Sequence, residues 1–303
     1  MRYPLRMSFL VCGASLIMAQ QDAFPKLDYK PVPDFFQLPS GWNLGETSGV
    51  AVGPKGNIYV FNRGAHPLIE FDSKGKFLRS LCETGVFTFS HAVRIDRDNN
   101  IWAVDVYGDI VFKINQEGHI VMVIGRKGQA GTNQARFNYP ADIAIAPSGD
   151  FYVADGYRNS RVVKFNRDGK YLLEWGKKGT GQGEFNVVHS IVLDDQGRVY
   201  VGDRENRRIQ IFDPDGKFLQ EWTHVGSPWG LEITPDRKHI LLADGYNNRV
   251  LLLNLEGQVE GSLGNFGRAT GEFIHAHAIA AAANGDFYVA EAENWRVQKF
   301  VKR

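Results

Sequence analysis

A short apolar motif with a large residue near its centre recurs six times along the chain. Its copies are Ile58-Tyr59-Val60, Ile101-Trp102-Ala103, Phe151-Tyr152-Val153, Val199-Tyr200-Val201, Ile240-Leu241-Leu242 and Phe287-Tyr288-Val289. The steps between their first residues are 43, 50, 48, 41 and 47. Repeats of this length, built from short strands, are typical of β-propeller blades. The pattern predicts an all-β protein, a six-bladed β-propeller.

Each unit carries the same order of strands and turns. A strand of small residues, such as 141–145, precedes the apolar motif, and a Gly-containing turn joins the two. A polar loop follows, then a third strand such as 161–165 and an outer strand such as 171–175. Small residues fit the crowded axis of a propeller, and large aromatic residues fill the widening space between blades. We therefore expect the small-residue strand to be innermost.

The sixth unit ends after its third strand, at Phe300. We expect the N-terminal segment Asp34-Phe35-Phe36-Gln37-Leu38 to supply the missing outer strand. Such a strand would close the ring and remove an exposed sheet edge. The alternative is an N-terminal tail that lies on the surface.

Residues 1–19 have the features of a signal peptide. Arg2 and Arg6 precede an uncharged, mostly apolar run at 7–19, which is too short to span a bilayer. We expect cleavage after Ala19 and a secreted or periplasmic protein whose residues 20–303 form one propeller domain. We therefore expect no stable membrane anchor. The alternative is that residues 1–19 are retained as an N-terminal anchor.

The charge balance argues against a nucleic-acid partner. The chain has 35 basic and 34 acidic residues, and loss of Arg2 and Arg6 with residues 1–19 would leave a net charge of −1. Such a chain lacks the overall positive charge that attracts nucleic acid. We also expect a monomer.

The polar loops of the later units share an acidic residue, an asparagine and an arginine. This pattern is typical of NHL repeats, and it occurs in 155–161, 203–208, 244–249 and 291–296. Because the pattern recurs from blade to blade, we expect its arginines to belong to the scaffold. They are Arg161, Arg208, Arg249 and Arg296.

Histidine occupies one position of the repeat in alternate units only. The residues ten positions before the motif, eleven in the fifth unit, are Ser48, His91, Ala141, His189, Trp229 and His277. Equivalent inner-strand positions form a ring around the axis, so alternate units would place three imidazoles about 120° apart. Three imidazoles with a fourth position open are typical of a catalytic zinc site. The alternative is that His91, His189 and His277 hydrogen-bond polar groups in the channel.

Three further residues depart from the repeat. Each follows the apolar motif, so its side chain should lie at the end of the propeller where the inner strands and their histidines begin. Arg63, Tyr157 and Arg204 lie in the first, third and fourth units. A phenol near a cation and guanidinium groups would have a lowered pKa and could act as a base. Arginine also suits capture of a substrate carboxylate. A structural role for Tyr157 stays open, because Tyr246 occupies a similar place in the fifth unit.

The chain resembles the peptidyl-α-hydroxyglycine α-amidating lyases from about Val32 to Phe300. The stretches that carry the resemblance are Phe61-Asn62-Arg63-Gly64, Ser90-His91-Ala92, Asp155-Gly156-Tyr157, Asn159-Ser160-Arg161, Val188-His189-Ser190 and Asp203-Arg204-Glu205-Asn206. The resemblance implies a six-bladed propeller with zinc held by His91, His189 and His277. It implies cleavage of the N–C bond of a small peptide or acylglycine-type substrate ending in α-hydroxyglycine, giving an amide and glyoxylate.

The resemblance also implies roles for the residues that depart from the repeat pattern. Tyr157 would take the substrate hydroxyl proton, and Arg63 and Arg204 would bind the carboxylate and stabilise developing charge. His275 stands where the family has methionine, and we expect it to line the substrate site or adjust the zinc. Ala278 replaces an aspartate that helps hold a structural calcium, which argues against calcium. Two other functions stay open: a propeller lactonase or hydrolase, and a non-catalytic NHL module that binds a protein.

Overall fold

The computed structural model describes residues 24–83 and 85–303, so the expected signal peptide lies outside the described residues. Blades one to three contain Thr47–Val52 (β2), Ile58–Asn62 (β3), Leu68–Phe71 (β4), Phe77–Leu81 (β5), Ser90–Ile95 (β6), Ile101–Asp105 (β7), Ile110–Ile114 (β8), Ile120–Gly125 (β9), Asp142–Ile145 (β10), Phe151–Asp155 (β11), Arg161–Phe165 (β12) and Tyr171–Trp175 (β13). Blades four to six contain Val188–Leu193 (β14), Val199–Asp203 (β15), Arg208–Phe212 (β16), Phe218–Trp222 (β17), Pro228–Ile233 (β18), His239–Asp244 (β19), Arg249–Asn254 (β20), Val259–Leu263 (β21), Ala276–Ala281 (β22), Phe287–Glu291 (β23), Arg296–Lys302 (β24) and Tyr29–Val32 (β1). A short 3-10 turn, Gly245–Asn247, follows β19.

The strands form six four-stranded antiparallel sheets arranged as the blades of a propeller. The first strand of each unit contacts the first strands of the neighbouring units, as β2 does with β6 and β22, so these strands surround the axis. This arrangement confirms the predicted six-bladed β-propeller. Among the residues that the structure describes, no helix has the length and apolar character needed to cross a membrane.

The ring is closed by an N-terminal strand, as predicted, but the strand is β1 and not residues 34–38. Tyr29 pairs with Lys302 and Val32 with Lys299, which makes β1 the outer strand of blade six. Pro31 is tolerated there because an outermost strand needs hydrogen bonds on one side only. The apolar residues that suggested a strand at 34–38 pack between blades instead, with Phe36 against Phe71 at 4.8 Å and Tyr288 at 6.1 Å.

The hydrophobic core is divided into six clusters, each between two neighbouring blades. The large residues of the second strands fill these spaces, as the sequence predicts. Trp102 of blade two, for example, is buried and packs on Phe151 of blade three, with ring centroids 4.7 Å apart. Burial of each such side chain contributes roughly 1.5–3 kcal/mol, so cohesion between blades holds the ring together.

The repeated arginines brace the loop that follows each second strand, and Arg161, Arg208 and Arg296 also donate to carbonyls of the link that enters their blade. Their Nε atoms donate to the acidic residue that ends the second strand, over 2.7–2.9 Å: Arg161 to Asp155, Arg208 to Asp203, Arg249 to Asp244 and Arg296 to Glu291. Arg208 also donates to the carbonyls of Gly181 and Glu184, in the link from blade three. These contacts agree with a scaffold role.

Candidate metal centre

His91, His189 and His277 each stand at a β-bulge of an innermost strand. In blade four, Val188 pairs with Asp203 and Ser190 with Gly202, so His189 has no partner across the ladder. The same register shift skips His91 in blade two and His277 in blade six. A bulge inserts an unpaired residue and re-aims its side chain. The inner strands therefore turn these three imidazoles towards one point.

The three imidazoles form a compact, buried triangle. Their ring centroids are 4.8, 4.8 and 5.1 Å apart, and the side chains are almost fully buried. The ring nitrogens that could bind a cation lie within 4.8 Å of one another. The alternation noticed in the sequence thus brings the three histidines together as a possible metal site.

Each imidazole is oriented by a backbone carbonyl of the next blade. The Nδ1 atoms lie 2.6 Å from Ala141 O for His91, 2.6 Å from Trp229 O for His189 and 2.7 Å from Ser48 O for His277. A carbonyl can only accept, so Nδ1 carries the proton and Nε2 keeps its lone pair. Metal-binding histidines commonly have this arrangement. The second ring nitrogen is thereby available to a cation.

Burial keeps these histidines neutral. Burial lowers the pKa of His91 and His189 well below the ordinary value, and the positive charge of Arg204 acts in the same direction. Burial lowers the pKa of His277 to about 3, with Arg63 as the next cause. A neutral imidazole is the form that binds a metal ion. Protons therefore compete weakly for these nitrogens near neutral pH.

The hydroxyl of Tyr157 points into the same centre. Its Oη lies 2.9 Å from Nε2 of His91 and 2.9 Å from Nε2 of His189. A phenol has one proton and can donate to only one of these two acceptors. The lone pairs of the imidazole Nε2 atoms and of the phenol oxygen therefore outnumber the protons available to them. A divalent cation at this point would bind these lone pairs. The three imidazoles therefore fit a transition-metal ion.

The loop before Tyr157 requires glycine. A Cβ on Gly156 would clash with the carbonyl group of Val188, the residue before His189. This close approach of backbones brings Tyr157 against the histidines. Tyr246, its counterpart in blade five, instead donates to Glu205 over 3.0 Å. The structure thus separates two tyrosines that the sequence could not tell apart.

The protein groups alone do not lower the pKa of Tyr157, so the lowered pKa expected beside a divalent cation and guanidinium groups depends on the cation. Burial raises the pKa of this phenol, while the guanidinium groups of Arg204 and Arg63 oppose the rise. Desolvation disfavours the phenolate more than these two charges favour it. A lowered pKa would need the further positive charge of a bound cation.

Arg63 of blade one and Arg204 of blade four both lie near the centre and act on Tyr157 through their charges. Arg63 donates from Nε to the carbonyl of Ser90 over 3.1 Å, and its Nη1 pairs with Glu46 at 2.9 Å. Arg204 donates from Nη1 to Tyr157 over 3.3 Å and from Nε to Glu205 over 2.8 Å. Among the described residues, Nη2 of either arginine makes no hydrogen bond, so both have a donor for an anion.

His275 lies beside the centre, outside the group of three. Its ring is stacked on Trp229, with centroids 5.3 Å apart and planes 10° from parallel. Sequence reasoning missed a site role for Trp229, which also lies under the guanidinium of Arg204 at 4.7 Å. The signal was present, because Trp229 holds the histidine position of blade five. Together His275 and Trp229 form one wall of the site.

The chain matches known proteins along most of its length. The NHL-repeat family profile matches residues 137–165 and 185–212. NHL repeat-containing protein 3 of Homo sapiens is 32% identical over 298 residues, which cover 88% of this chain and 84% of that protein. A probable peptidyl-α-hydroxyglycine α-amidating lyase of Caenorhabditis elegans is 28% identical over 298 residues, which cover 84% of this chain and 82% of that protein.

Longer proteins and a solved structure are also similar. Peptidyl-glycine α-amidating monooxygenase A of Xenopus laevis is 33% identical over 306 residues, and the match covers 85% of this chain but only 32% of that protein. A streptogramin B lyase structure superposes with a TM-score of 0.63 over 91% of this chain and 97% of that chain, at 13% identity, so this likeness concerns the fold. The chain belongs to a family of NHL-repeat six-bladed β-propellers that includes NHL repeat-containing protein 3, and it is similar to the peptidyl-α-hydroxyglycine α-amidating lyases.

Proposed function

We propose that this chain is a zinc-dependent lyase that cleaves the N–C bond of a peptidyl- or acyl-α-hydroxyglycine, yielding an amide and glyoxylate. The proposal is carried by one observation: the Nε2 atoms of His91 and His189 and the hydroxyl of Tyr157 converge within hydrogen-bonding distance. His277 completes the set of three buried imidazoles. Three histidines with one position left for substrate are the donor set of catalytic zinc.

The reaction needs proton transfer and charge stabilisation, without any oxidant. A bound zinc ion would supply Lewis-acid polarisation of the substrate α-hydroxyl and lower the pKa of nearby acidic groups. Oη of Tyr157 takes the hydroxyl proton as the C–O bond becomes a carbonyl. The electron pair of the breaking C–N bond goes to nitrogen, which receives a proton from Tyr157. The products are an amide and glyoxylate, and all atoms balance.

The two arginines bind the end of the substrate. The α-hydroxyglycine carboxylate is an anion, and each guanidinium has an Nη2 donor directed to no other described group. Charge-assisted hydrogen bonds of this kind are about twice as strong as neutral ones. Arg204 also donates to Tyr157, so its charge stabilises the phenolate that takes the hydroxyl proton and that is restored when Tyr157 gives a proton to nitrogen.

The wall formed by Trp229 and His275 bounds the rest of the substrate site. Its stacked rings offer an apolar and a polar surface to the acyl or peptide part. We propose a small peptide or acylglycine-type substrate, which a monomer could accept at the end of its channel. The features of residues 1–19 support action outside the cytoplasm, in the periplasm or after secretion.

The test is glyoxylate release by purified protein from a small N-acyl-α-hydroxyglycine. Release that stops on chelation and returns with zinc would support the proposal. No release from zinc-loaded protein would overturn it, and would favour a propeller hydrolase or a protein-binding NHL module instead.

A further inference from the structure

An ion-pair network crosses the channel next to the three histidines, and in it Asp142 is buried while Arg94 and Glu232 are half-buried. Arg94 of blade two donates to Asp142 of blade three from Nη2 over 2.7 Å and from Nε over 3.1 Å. It also donates from Nη1 to Glu232 of blade five over 2.8 Å. One guanidinium thus joins three blades across the axis. The positive charge is permanent, because arginine stays protonated in proteins.

This network is continuous with the backbone that orients the histidines. Asp142 directly follows Ala141, whose carbonyl accepts from His91. Ser190 directly follows His189, and its Oγ donates to Asp142 over 2.9 Å. A small cavity borders all three histidines as well as Arg94 and Asp142. A shift of Arg94 or Asp142 would therefore move the metal-binding nitrogens.

The residues here do not fit the calcium ion that the family resemblance implies. Calcium takes six to eight oxygen ligands. Ala278, which follows the third histidine, offers no side-chain oxygen. The Asp142 carboxylate already accepts from Arg94, from Ser190 and from the N–H groups of Ile143 and Ile191. Both oxygen atoms of this carboxylate are therefore occupied by protein donors.

We propose that the guanidinium of Arg94 is the structural cation of this channel, takes the place of calcium, and positions the histidine ring. A cation is needed because Asp142 and Glu232 bring two carboxylates close to the axis. The covalently attached Arg94 fills this need with fixed hydrogen-bond geometry. This inference concerns the structure of the ring and is independent of the reaction that the site catalyses.

The test compares thermal unfolding of wild-type protein and Arg94→Ala, each with a calcium chelator and with millimolar calcium. Wild-type Tm is expected to be the same in both conditions. Arg94→Ala leaves two carboxylates without their cation, so its Tm should fall by roughly 5 °C or more. Calcium should restore part of that loss, because the pocket becomes an oxygen site of net negative charge.

Arg208→Ala is the matched control, because Arg208 also pairs with two acidic residues, Asp203 and Glu221, but away from the axis. It should lose stability that calcium does not restore.

A wild-type Tm raised by calcium, or stoichiometric calcium in purified wild-type protein, would overturn the proposal. An Arg94→Ala protein as insensitive to calcium as Arg208→Ala would also overturn it. If Arg94→Ala does not fold, Arg94→Lys replaces it and should have weaker zinc affinity than wild type; unchanged zinc affinity would contradict the positioning role.

Discussion

His91 is held by Ala141, whose backbone carbonyl lies 2.6 Å from the Nδ1 atom of the imidazole. Ala141 occupies the same position in blade three that His91 occupies in blade two. The two other histidines follow the same rule with Trp229 and Ser48. Three blades therefore supply imidazoles and the other three supply the carbonyls that orient them. The last of these contacts joins blade six to blade one, so the closed ring completes the site.

Removal of one histidine should abolish metal binding without unfolding the protein. His189→Ala is expected to bind less than one tenth of the zinc of wild type, because two imidazoles remain. Elemental analysis after dialysis measures the zinc, and circular dichroism checks the fold. His239→Ala is the control, since His239 pairs with Asp236 and Glu260 away from the centre. Wild-type zinc content in His189→Ala would exclude this residue as a ligand.

Loss of the Tyr157 hydroxyl should slow the reaction while leaving the metal in place. Tyr157→Phe is expected to lower kcat by about 10²–10⁴-fold, the usual contribution of general acid–base catalysis. Steady-state glyoxylate release gives kcat, and elemental analysis gives the zinc content.

Tyr246→Phe provides the control for this prediction. Tyr246 occupies the matching loop but donates to Glu205 and not to the histidines. Its loss should change kcat less than threefold. Equal effects of the two substitutions would argue that Tyr157 has no direct part in proton transfer.

Removal of Arg204 should weaken the interaction with the substrate carboxylate and with the transition state. Charge-assisted hydrogen bonds contribute about 1.5–3 kcal/mol, so Arg204→Ala should lower kcat/KM by roughly 10- to 150-fold. The neighbouring Arg207 is exposed, and Arg207→Ala should leave kcat/KM near the wild-type value. An analogue without the carboxylate should show a smaller difference between wild type and Arg204→Ala, because only the contact of Arg204 with Tyr157 is then lost; an equally large difference with both substrates would contradict carboxylate binding.

The metal-free protein should lose stability in mild acid. The folded-state pKa of His277 is about 3, whereas an unfolded histidine titrates near 6.5. Between these values the unfolded chain binds a proton that the folded chain does not, so stability present above pH about 6.5 is lost as pH falls. This one histidine should contribute about 2 kcal/mol of loss between pH 7 and pH 5.

Urea unfolding of metal-free protein at the two pH values measures this loss. The substitution His277→Asn removes the titrating group and should make the free energy of unfolding less dependent on pH. The same dependence in wild type and in the variant would show that His277 is not held neutral.

The sequence predicts the site well where the repeat itself supplies the geometry. Counting from the apolar motif identifies His91, His189 and His277 as a set, because equivalent positions of six blades form a ring. It does not reveal that each stands at a β-bulge, since a bulge depends on pairing with the second strand. Nor does it reveal the carbonyl partners, because every residue has a carbonyl.

The closing strand shows a different limit. Hydrophobicity points to Phe35 and Phe36, whereas the paired strand is Tyr29–Val32, which contains a proline. An outer strand is half exposed and needs little apolar character. Apolar side chains in the entering segment instead fill the space between the first and last blades. Pattern alone cannot distinguish these two uses of an aromatic pair.

A zinc titration of metal-free protein tests the central claim most directly. The assay follows glyoxylate and amide formation from one N-acyl-α-hydroxyglycine as zinc is added. We expect both products in equal amounts, at a rate that rises linearly with zinc and levels off at one ion per chain. Equal rates before and after zinc addition, or no product at one equivalent of bound zinc, would contradict a metal-dependent lyase built on His91, His189 and His277.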